Sequence, residues 1–107
     1  MKRGDLVTVA MTGDYGKPRP ALIVQADLFA DTESVTVLLV SSHLVEAEFG
    51  RITIDPSPVN GLLTSSQIMI DKAMTVPRAK AGRVIGRLDS ETMGRIDRAI
   101  ALFFGIA

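Results

Sequence analysis

The chain has 107 residues, enough for one hydrophobic core, and its 12 basic and 12 acidic residues give a formal net charge of zero. It has no cysteine and one histidine, which excludes disulfides and thiolate metal sites and argues against a metal centre built from side chains. No apolar run reaches spanning length, and the apolar stretch at the N-terminus is interrupted too early for a signal peptide. We therefore expect one domain over residues 1–107, cytoplasmic, with no metal, cofactor or membrane contact.

The first half of the chain predicts three strands. Val7, Val9 and Met11 recur at the strand period of two. After the loop TGDYGK, Pro20 can begin a second strand, and the apolar run ALIVQ is typical of a strand buried on both faces. ADLFADTES predicts a short helical turn or loop. The β-branched run from Ser34 to Ser42 predicts a central third strand.

The second half predicts further strands and a helix. FGRITIDP is a fourth strand, SPVNGL a turn in which Gly61 can take a positive φ, and SQIMIDKAMTVP one or two more strands. Five short strands joined by glycine- and proline-rich loops indicate a compact barrel or sandwich. Asp89 or Ser90 can then cap a helix with apolar residues at three- and four-residue spacing. These residues are Met93, Ile96, Ile100 and Phe103.

This apolar helix face should dock on the barrel or on a second subunit. Because 47% of the residues are apolar in so small a chain, a homo-oligomer is expected. The charges are unevenly distributed: the segment from Lys72 to Arg87 has five basic residues and no acidic one, whereas the middle of the chain is acidic. A basic face for nucleic acid is therefore possible on a neutral protein, although a solvated surface with no partner explains the same pattern.

Polar side chains stand at the ends of three apolar strands. Arg19 lies between two prolines before the second strand, Ser41 and Ser42 end the third, and Asp71 with Lys72 follows SQIMI. In a small barrel these ends meet at a rim, where a guanidinium, a hydroxyl and a carboxylate could bind and polarise a phosphodiester. The structural alternatives are a salt bridge of Arg19 with Asp71 or Asp14, and hydroxyls that satisfy backbone groups.

His43 is the one histidine and raises the alternative of a Ser-His-Asp hydrolase. That reading would use Ser41 or Ser42 with His43 and Asp71. Adjacent serine and histidine give poor hydrogen-bond geometry, and the chain has no nucleophile elbow. A solvated His43 in a polar loop is the simpler interpretation.

Five segments in order resemble the MazF/PemK family of toxins from bacterial toxin–antitoxin modules: KRGDLVTV, GKPRPALIVQAD, VTVLLVSS, SQIMIDKAMTVPR and VIGRLDSETMGRIDRAIALFFG. The resemblance covers almost the whole chain. It implies a mainly β fold, an SH3-like small barrel closed by a C-terminal helix, assembled as a homodimer. It also implies a metal-independent endoribonuclease that cuts single-stranded RNA, often mRNA, and is silenced by an antitoxin with a disordered tail.

The resemblance implies three catalytic residues in this chain. Arg19 matches the catalytic arginine of the R-P-A-L segment, Ser41 stands where threonine is usual, and Asp71 lies where members have an acidic residue. Some members have another arginine two residues before that acid, where this chain has Met69. The implied chemistry is attack of the ribose 2′-OH on its own phosphate, with Asp71 or a phosphate oxygen taking the proton, Arg19 stabilising the charge and Ser41 fixing an oxygen.

Further residues are candidates for RNA contact. Tyr15 can stack on an unpaired base, although it could equally pack on the barrel rim, and Lys17 can reach a phosphate. The predicted RNA-binding residues are Asp14, Tyr15, Lys17, Pro20, Ser42, His43, Gln67, Lys72 and Arg78.

Two competing functions remain at this point. CcdB-type toxins share the barrel and poison DNA gyrase by binding, through a C-terminal Trp-Gly-Ile, whereas this chain ends in FFGIA. The second competing function is that of an inactive member of the MazF/PemK family that only binds antitoxin. It is suggested by Met69 and Ser41, where family members have arginine or threonine.

Overall fold

The computed structural model describes residues 1–10, 17–47 and 49–106. Within these ranges the chain forms six strands, one α-helix and two short 3₁₀ helices, Asp27–Phe29 and Arg78–Lys80. The larger elements are β1 (Asp5–Ala10), β2 (Pro18–Ile23), β3 (Ser34–Ser41), β4 (Arg51–Ile54), β5 (Ser66–Pro77), β6 (Ala81–Arg87) and α1 (Ser90–Phe103).

The strands form one antiparallel sheet in the order β4-β5-β3-β2-β1-β6. β5 is the longest strand, with 12 residues, and pairs with both β3 and β4. The segment after β4 joins the two edges of the sheet, because the backbone N–H of Arg87 on β6 donates to the carbonyl of Val59 at 3.0 Å. The segment after β4 therefore borders β6, which is consistent with the small barrel that the resemblance implies.

Both faces of the central strands are buried, as the run ALIVQ predicted for β2. One face forms a core of large side chains that α1 covers: Leu6, Leu22, Leu38, Ile68, Ile70 and Ile96. The opposite face holds mostly smaller, β-branched residues: Val7, Val9, Ala21, Ile23, Val35, Val37 and Val76. The strand ends that carry polar residues are thus fixed by packing on two sides.

Helix α1 begins where the sequence predicted. The carboxylate of its N-cap, Asp89, accepts a hydrogen bond from the backbone N–H of Thr92 at 2.7 Å. This backbone hydrogen bond, with a smaller contribution from the Thr92 side chain, lowers the pKa of Asp89 below its ordinary value because it stabilises the charged form. Gly105 ends the helix with φ of 74°.

The predicted apolar face of α1 is confirmed in part. Ile96 is fully buried, and Met93 and Ile100 pack against the large-side-chain core. Phe103 differs: it remains 53% exposed at the end of the helix. At 14 residues α1 is too short to cross a membrane, and no other described helix is long and apolar enough to do so.

The structure adds one strand to the five predicted. SQIMIDKAMTVP forms a single continuous strand, and β6, with the sequence AGRVIGR, was not predicted at all. Two glycines make this segment a poor match to the composition of a strand. Close contacts in the fold explain why glycine stands there: a Cβ at Gly82 would overlap the hydroxyl of Thr8, and one at Gly86 would overlap the backbone of Asn60. The glycines therefore let β6 approach its neighbours closely.

Candidate active site

The strand register places three predicted site residues in one row across the sheet. On β2 and β3, Ala21 is opposite Leu39, and continuing that register by two residues brings Arg19 opposite Ser41. Ser41 is in turn paired with Gln67 of β5. Residues directly opposite each other project from the same face of a sheet, so these three side chains share a face.

Arg19 and Ser41 line one cavity of about 340 Å³, which we call the Arg19 cavity. Its lining consists of Arg19, Leu39, Val40, Ser41, Ser42, His43 and Met69. Four predicted catalytic or RNA-binding residues therefore meet at one place, together with Met69.

The flanking prolines fix the backbone of Arg19. The residue before a proline is restricted to extended conformations, and Arg19 lies extended within β2 between Pro18 and Pro20. Its side chain is exposed at the surface. The guanidinium thus starts from a preorganised backbone at the surface of the protein, which suits recognition of a phosphate.

The Ser41 hydroxyl has one firm protein partner and one weak one. Its oxygen accepts a hydrogen bond from the backbone N–H of His43 at 3.0 Å, which fixes the turn after β3. Its proton points to the His43 carbonyl at 3.4 Å, a long O–H···O distance. A phosphate oxygen entering the cavity can therefore accept a hydrogen bond from this hydroxyl without breaking the turn.

Asp71 lies beside the Arg19 cavity rather than in it. One carboxylate oxygen accepts from the Arg51 guanidinium, and the other lies 3.9 Å from the Lys72 ammonium. Asp71 is two residues along β5 from Met69, or roughly 7 Å, and does not line the cavity. The structure therefore brings Arg19 and Ser41 together, but directs Asp71 towards Arg51.

Gln67 is buried and used by the protein itself. It is only 5% exposed, and its amide clamps the backbone of Val45 on both sides: Nε2 donates to the carbonyl at 2.9 Å and Oε1 accepts from the N–H at 3.1 Å. Nε2 also lies 3.3 Å from the Thr53 hydroxyl. These contacts fix the loop that carries His43, and a contact of Gln67 with RNA stays a prediction.

The other predicted RNA contacts are spread over the molecule. Lys17 precedes β2 and is exposed, and Lys72 is 55% exposed at its side chain. Arg78 is at the opposite end of the sheet: Pro77 pairs with Ser34, seven residues before Ser41, or roughly 23 Å along the strand.

Arg78 donates from Nε to the carbonyl of Thr32 at 2.7 Å, and its contact with RNA stays a prediction. Asp14 and Tyr15 lie outside the described residues. In the described part of the chain, no three His, Cys, Asp or Glu side chains are grouped to hold a metal ion.

Comparison with known proteins decides between the toxin classes. Residues 2–104 match the model of the PemK-like, MazF-like toxins of type II toxin–antitoxin systems. The chain belongs to this family. The match favours a MazF-like toxin over a CcdB-like gyrase poison.

Relatives of this toxin support the assignment along the whole chain. It is 49% identical over 108 residues to the probable endoribonuclease MazF of Mycolicibacterium smegmatis, covering 100% of this chain and 99% of that protein. The toxin MazF-mt6 of Mycobacterium tuberculosis superposes with a TM-score of 0.81 at 25% identity, covering 96% and 98% of the two chains. A mycobacterial endoribonuclease in complex with its cognate antitoxin gives 0.81 at 22% identity, covering 100% and 97%.

The sequence did not indicate two features of this toxin's site. Arg51 pairs with Met69 across β4 and β5, so the neighbouring strand brings a guanidinium next to the position where some family members have an arginine. The clamp of Gln67 on Val45 was also missed. Both depend on which residues face each other between strands, which no local pattern reveals.

Proposed function

We propose that this toxin is an endoribonuclease that cleaves single-stranded RNA at the Arg19 cavity and thereby stops translation. The observation that carries the proposal is that Arg19 and Ser41 line one cavity, within a chain of the MazF-like family. The name of the M. smegmatis relative, a probable endoribonuclease, supports the same activity. The RNA is held by charge on its phosphates and by stacking of unpaired bases.

The chemistry is an internal transfer at phosphorus. The ribose 2′ oxygen forms a bond to the adjacent phosphorus while the bond to the 5′ oxygen of the next nucleotide breaks, which leaves a 2′,3′-cyclic phosphate and a 5′-OH end. The 2′ proton passes to a non-bridging phosphate oxygen and from there to the leaving 5′ oxygen, so no other reactant is consumed.

Arg19 and Ser41 act on the charge that develops in this step. The Arg19 guanidinium donates to the phosphate oxygens, on which negative charge increases in the transition state. The Ser41 hydroxyl turns from the weak contact with the His43 carbonyl and holds one non-bridging oxygen. Because Asp71 faces Arg51 and Lys72, the phosphate oxygen, rather than Asp71, takes the proton.

Tyr15 and Lys17 contribute to selectivity in this proposal. Tyr15 stacks on an unpaired base, and the exposed Lys17 contacts a phosphate next to the one held by Arg19. Substitution Tyr15→Ala should change the preferred cleavage site while the rate at the best site is retained. An unchanged site profile would argue against stacking.

Protein partners are expected on the exposed apolar surface around the end of α1. A cavity of about 290 Å³ beside the helix is lined by Phe49, Ile52, Ile70, Ala99 and Leu102, among others. Phe49 is 76% and Leu102 63% exposed, which is unusual for an isolated domain. We assign this surface to contacts with an antitoxin and with a second copy of the chain in a cytoplasmic homodimer, testable by light scattering with and without the antitoxin.

The decisive experiment is cleavage of a long, mixed-sequence RNA by the purified protein in EDTA, with both new ends mapped. Cuts at a recurring motif with 5′-OH ends are expected, and Arg19→Ala should reduce the rate about 100- to 1,000-fold. Arg98→Ala, which removes an exposed guanidinium from α1, is the matched control and should cleave normally.

Two results would contradict the proposal. Cleavage of an all-DNA version of a preferred site would exclude attack by the 2′-OH, which DNA lacks. Intact RNA, together with retained antitoxin binding, would identify a degenerate member of the family.

A further inference from the structure

A second and larger cavity lies beside the Arg19 cavity and has no role in the chemistry described above. Its volume is about 470 Å³, within the range of pockets that hold small organic groups. We call it the β6 cavity, because β6 and the segment after β4 form its walls. Its lining consists of Thr8, Pro18, Arg19, Pro20, Val40, Ser42, Gly61, Leu62, Leu63, Thr64, Ser66, Arg83, Val84 and Ile85.

The two cavities share part of their lining. Arg19, Val40 and Ser42 belong to both. The two cavities therefore adjoin at Arg19, so that a ligand whose phosphate contacts Arg19 can extend a neighbouring group into the β6 cavity.

The lining of the β6 cavity suits a flat heterocycle with polar edges. Aliphatic walls from Pro20, Leu62 and Ile85 alternate with the hydroxyls of Thr64 and Ser66. Two guanidiniums take part, and none of the described lining residues is Asp or Glu. A nucleobase combines an apolar face with acceptor atoms at its edge, and so matches this composition better than an inorganic anion does.

Arg83 is available for such a ligand. It is exposed on β6, and its guanidinium makes no hydrogen bond or ion pair with the described part of the chain. Three other arginines of the chain are instead engaged by the protein: Arg3 with Asp97, Arg51 with Asp71, and Arg78 by a backbone carbonyl. A guanidinium that lines a cavity without a protein partner can donate two hydrogen bonds to the edge of a base.

Hydrogen bonds of Asn60 hold the segment after β4 that supplies Gly61 and Leu62 to the lining of the β6 cavity. Asn60 is 5% exposed, and its carbonyl oxygen accepts from the backbone N–H groups of Ser57 and Leu62, each at 3.0 Å. Its amide nitrogen donates to the carbonyl of Asp55 at 2.9 Å. Gly61, at φ of 69°, follows in contact with the backbone of Ile85 on β6. These bonds preorganise the cavity, which favours selective binding.

We propose that the β6 cavity holds the base of the nucleotide next to the scissile phosphate, and that Arg83 selects this base by donating hydrogen bonds to acceptor atoms on its edge. The inference rests on the proposed endoribonuclease function and adds the residue that sets one position of the cleavage motif. Thr64 supplies a second polar contact, and the 98% exposed Leu63 covers the base at the rim.

The test compares cleavage-site profiles on a random-sequence RNA library under single-turnover conditions. The variants are Arg83→Gln and Thr64→Val, both at exposed positions, so that folding is retained and can be checked by thermal melting. Arg87→Gln is the matched control: it removes an exposed arginine from the same strand, outside the β6 cavity. Affinity for the best site is measured with a copy carrying a single 2′-deoxy substitution at the cleaved position.

The expected result is that Arg83→Gln and Thr64→Val relax base preference at the same single position next to the cut. The discrimination at that position should fall about 5- to 100-fold for Arg83→Gln, while Arg87→Gln keeps the wild-type profile. An unchanged profile for Arg83→Gln would overturn the inference. So would uniform weakening at every sequence, which would make Arg83 a phosphate contact. Failure of the wild-type protein to cut RNA would instead refute the proposed function and this inference with it.

Discussion

The buried amide of Gln67 gives the sharpest test of how the site is held. Gln67→Ala removes three hydrogen bonds: two to the backbone of Val45, at 2.9 and 3.1 Å, and one to the Thr53 hydroxyl, at 3.3 Å. A typical hydrogen bond contributes about 0.5–1.5 kcal/mol net, so the two shorter ones together give about 1–3 kcal/mol. For a domain of this size, each kcal/mol lowers Tm by roughly 4–8 °C.

Gln67→Ala should also reduce activity at temperatures well below its lowered Tm, where the variant is still folded. Without the hydrogen bonds to Val45, we expect the loop that carries His43, a lining residue of the Arg19 cavity, to move. A displacement of about 1 Å at a catalytic site can lower the reaction rate up to roughly 100-fold. We expect kcat/KM at the best RNA site to fall about 10- to 100-fold, measured by single-turnover cleavage at 20 °C.

Gln25 offers a matched control at the other end of the sheet. Its amide makes a similar pair of contacts, accepting from the Thr36 N–H at 2.9 Å and donating to the Phe29 carbonyl at 2.9 Å. Gln25→Ala should therefore lower Tm without changing cleavage. Equal activity of the Gln67 and Gln25 variants at matched stability would refute the positioning role of Gln67.

Three further predictions use the same structure. Asp71→Asn should lower kcat/KM less than 10-fold, since Arg51 and not RNA faces this carboxylate, whereas a general base would cost about 100- to 10,000-fold; single-turnover rates distinguish them. Ile96→Ala removes a fully buried side chain and should destabilise the fold by about 2–5 kcal/mol in urea denaturation. The lowered pKa of Asp89 means that its cap stabilises the fold above the unfolded-state pKa, and that this stability is lost as pH falls through the folded-state pKa. Asp89→Asn should therefore flatten the acid limb of Tm against pH, and an unchanged limb would contradict this.

Much of the fold could be predicted because the apolar pattern is strong. The apolar patterns typical of strands predicted β1 to β5, and the helical spacing of apolar residues after an N-cap predicted α1. The barrel was implied by the resemblance. β6 could not be predicted in this way, because Gly82 and Gly86 satisfy close contacts with other strands rather than local strand preference. The sequence contains those glycines but not the neighbours that require them.

The site was predictable as a set of strand ends but not as a geometry. Arg19 and Ser41 line one cavity, as expected if the polar ends of β2 and β3 meet at a rim. The charges of the segment from Lys72 to Arg87 were treated as one basic face, yet Arg78 binds the carbonyl of Thr32 at the far end and Arg83 lines a cavity at the near end. Distance along the chain does not show which end of a sheet a residue occupies.

The formal net charge of zero is consistent with RNA binding once the partners of the charges are known. Opposite charges in contact cancel within a few ångströms, as Arg51 and Asp71 do, and contribute little field beyond the Debye length of about 8 Å at physiological salt. The β6 cavity differs, because the exposed Arg83 lines it without an ion pair in the described part of the chain, and none of its described lining residues is acidic. Arg83 therefore contributes positive potential at the cavity although the sum over the chain is zero, since the distribution of charge, and not its total, sets the field at a site.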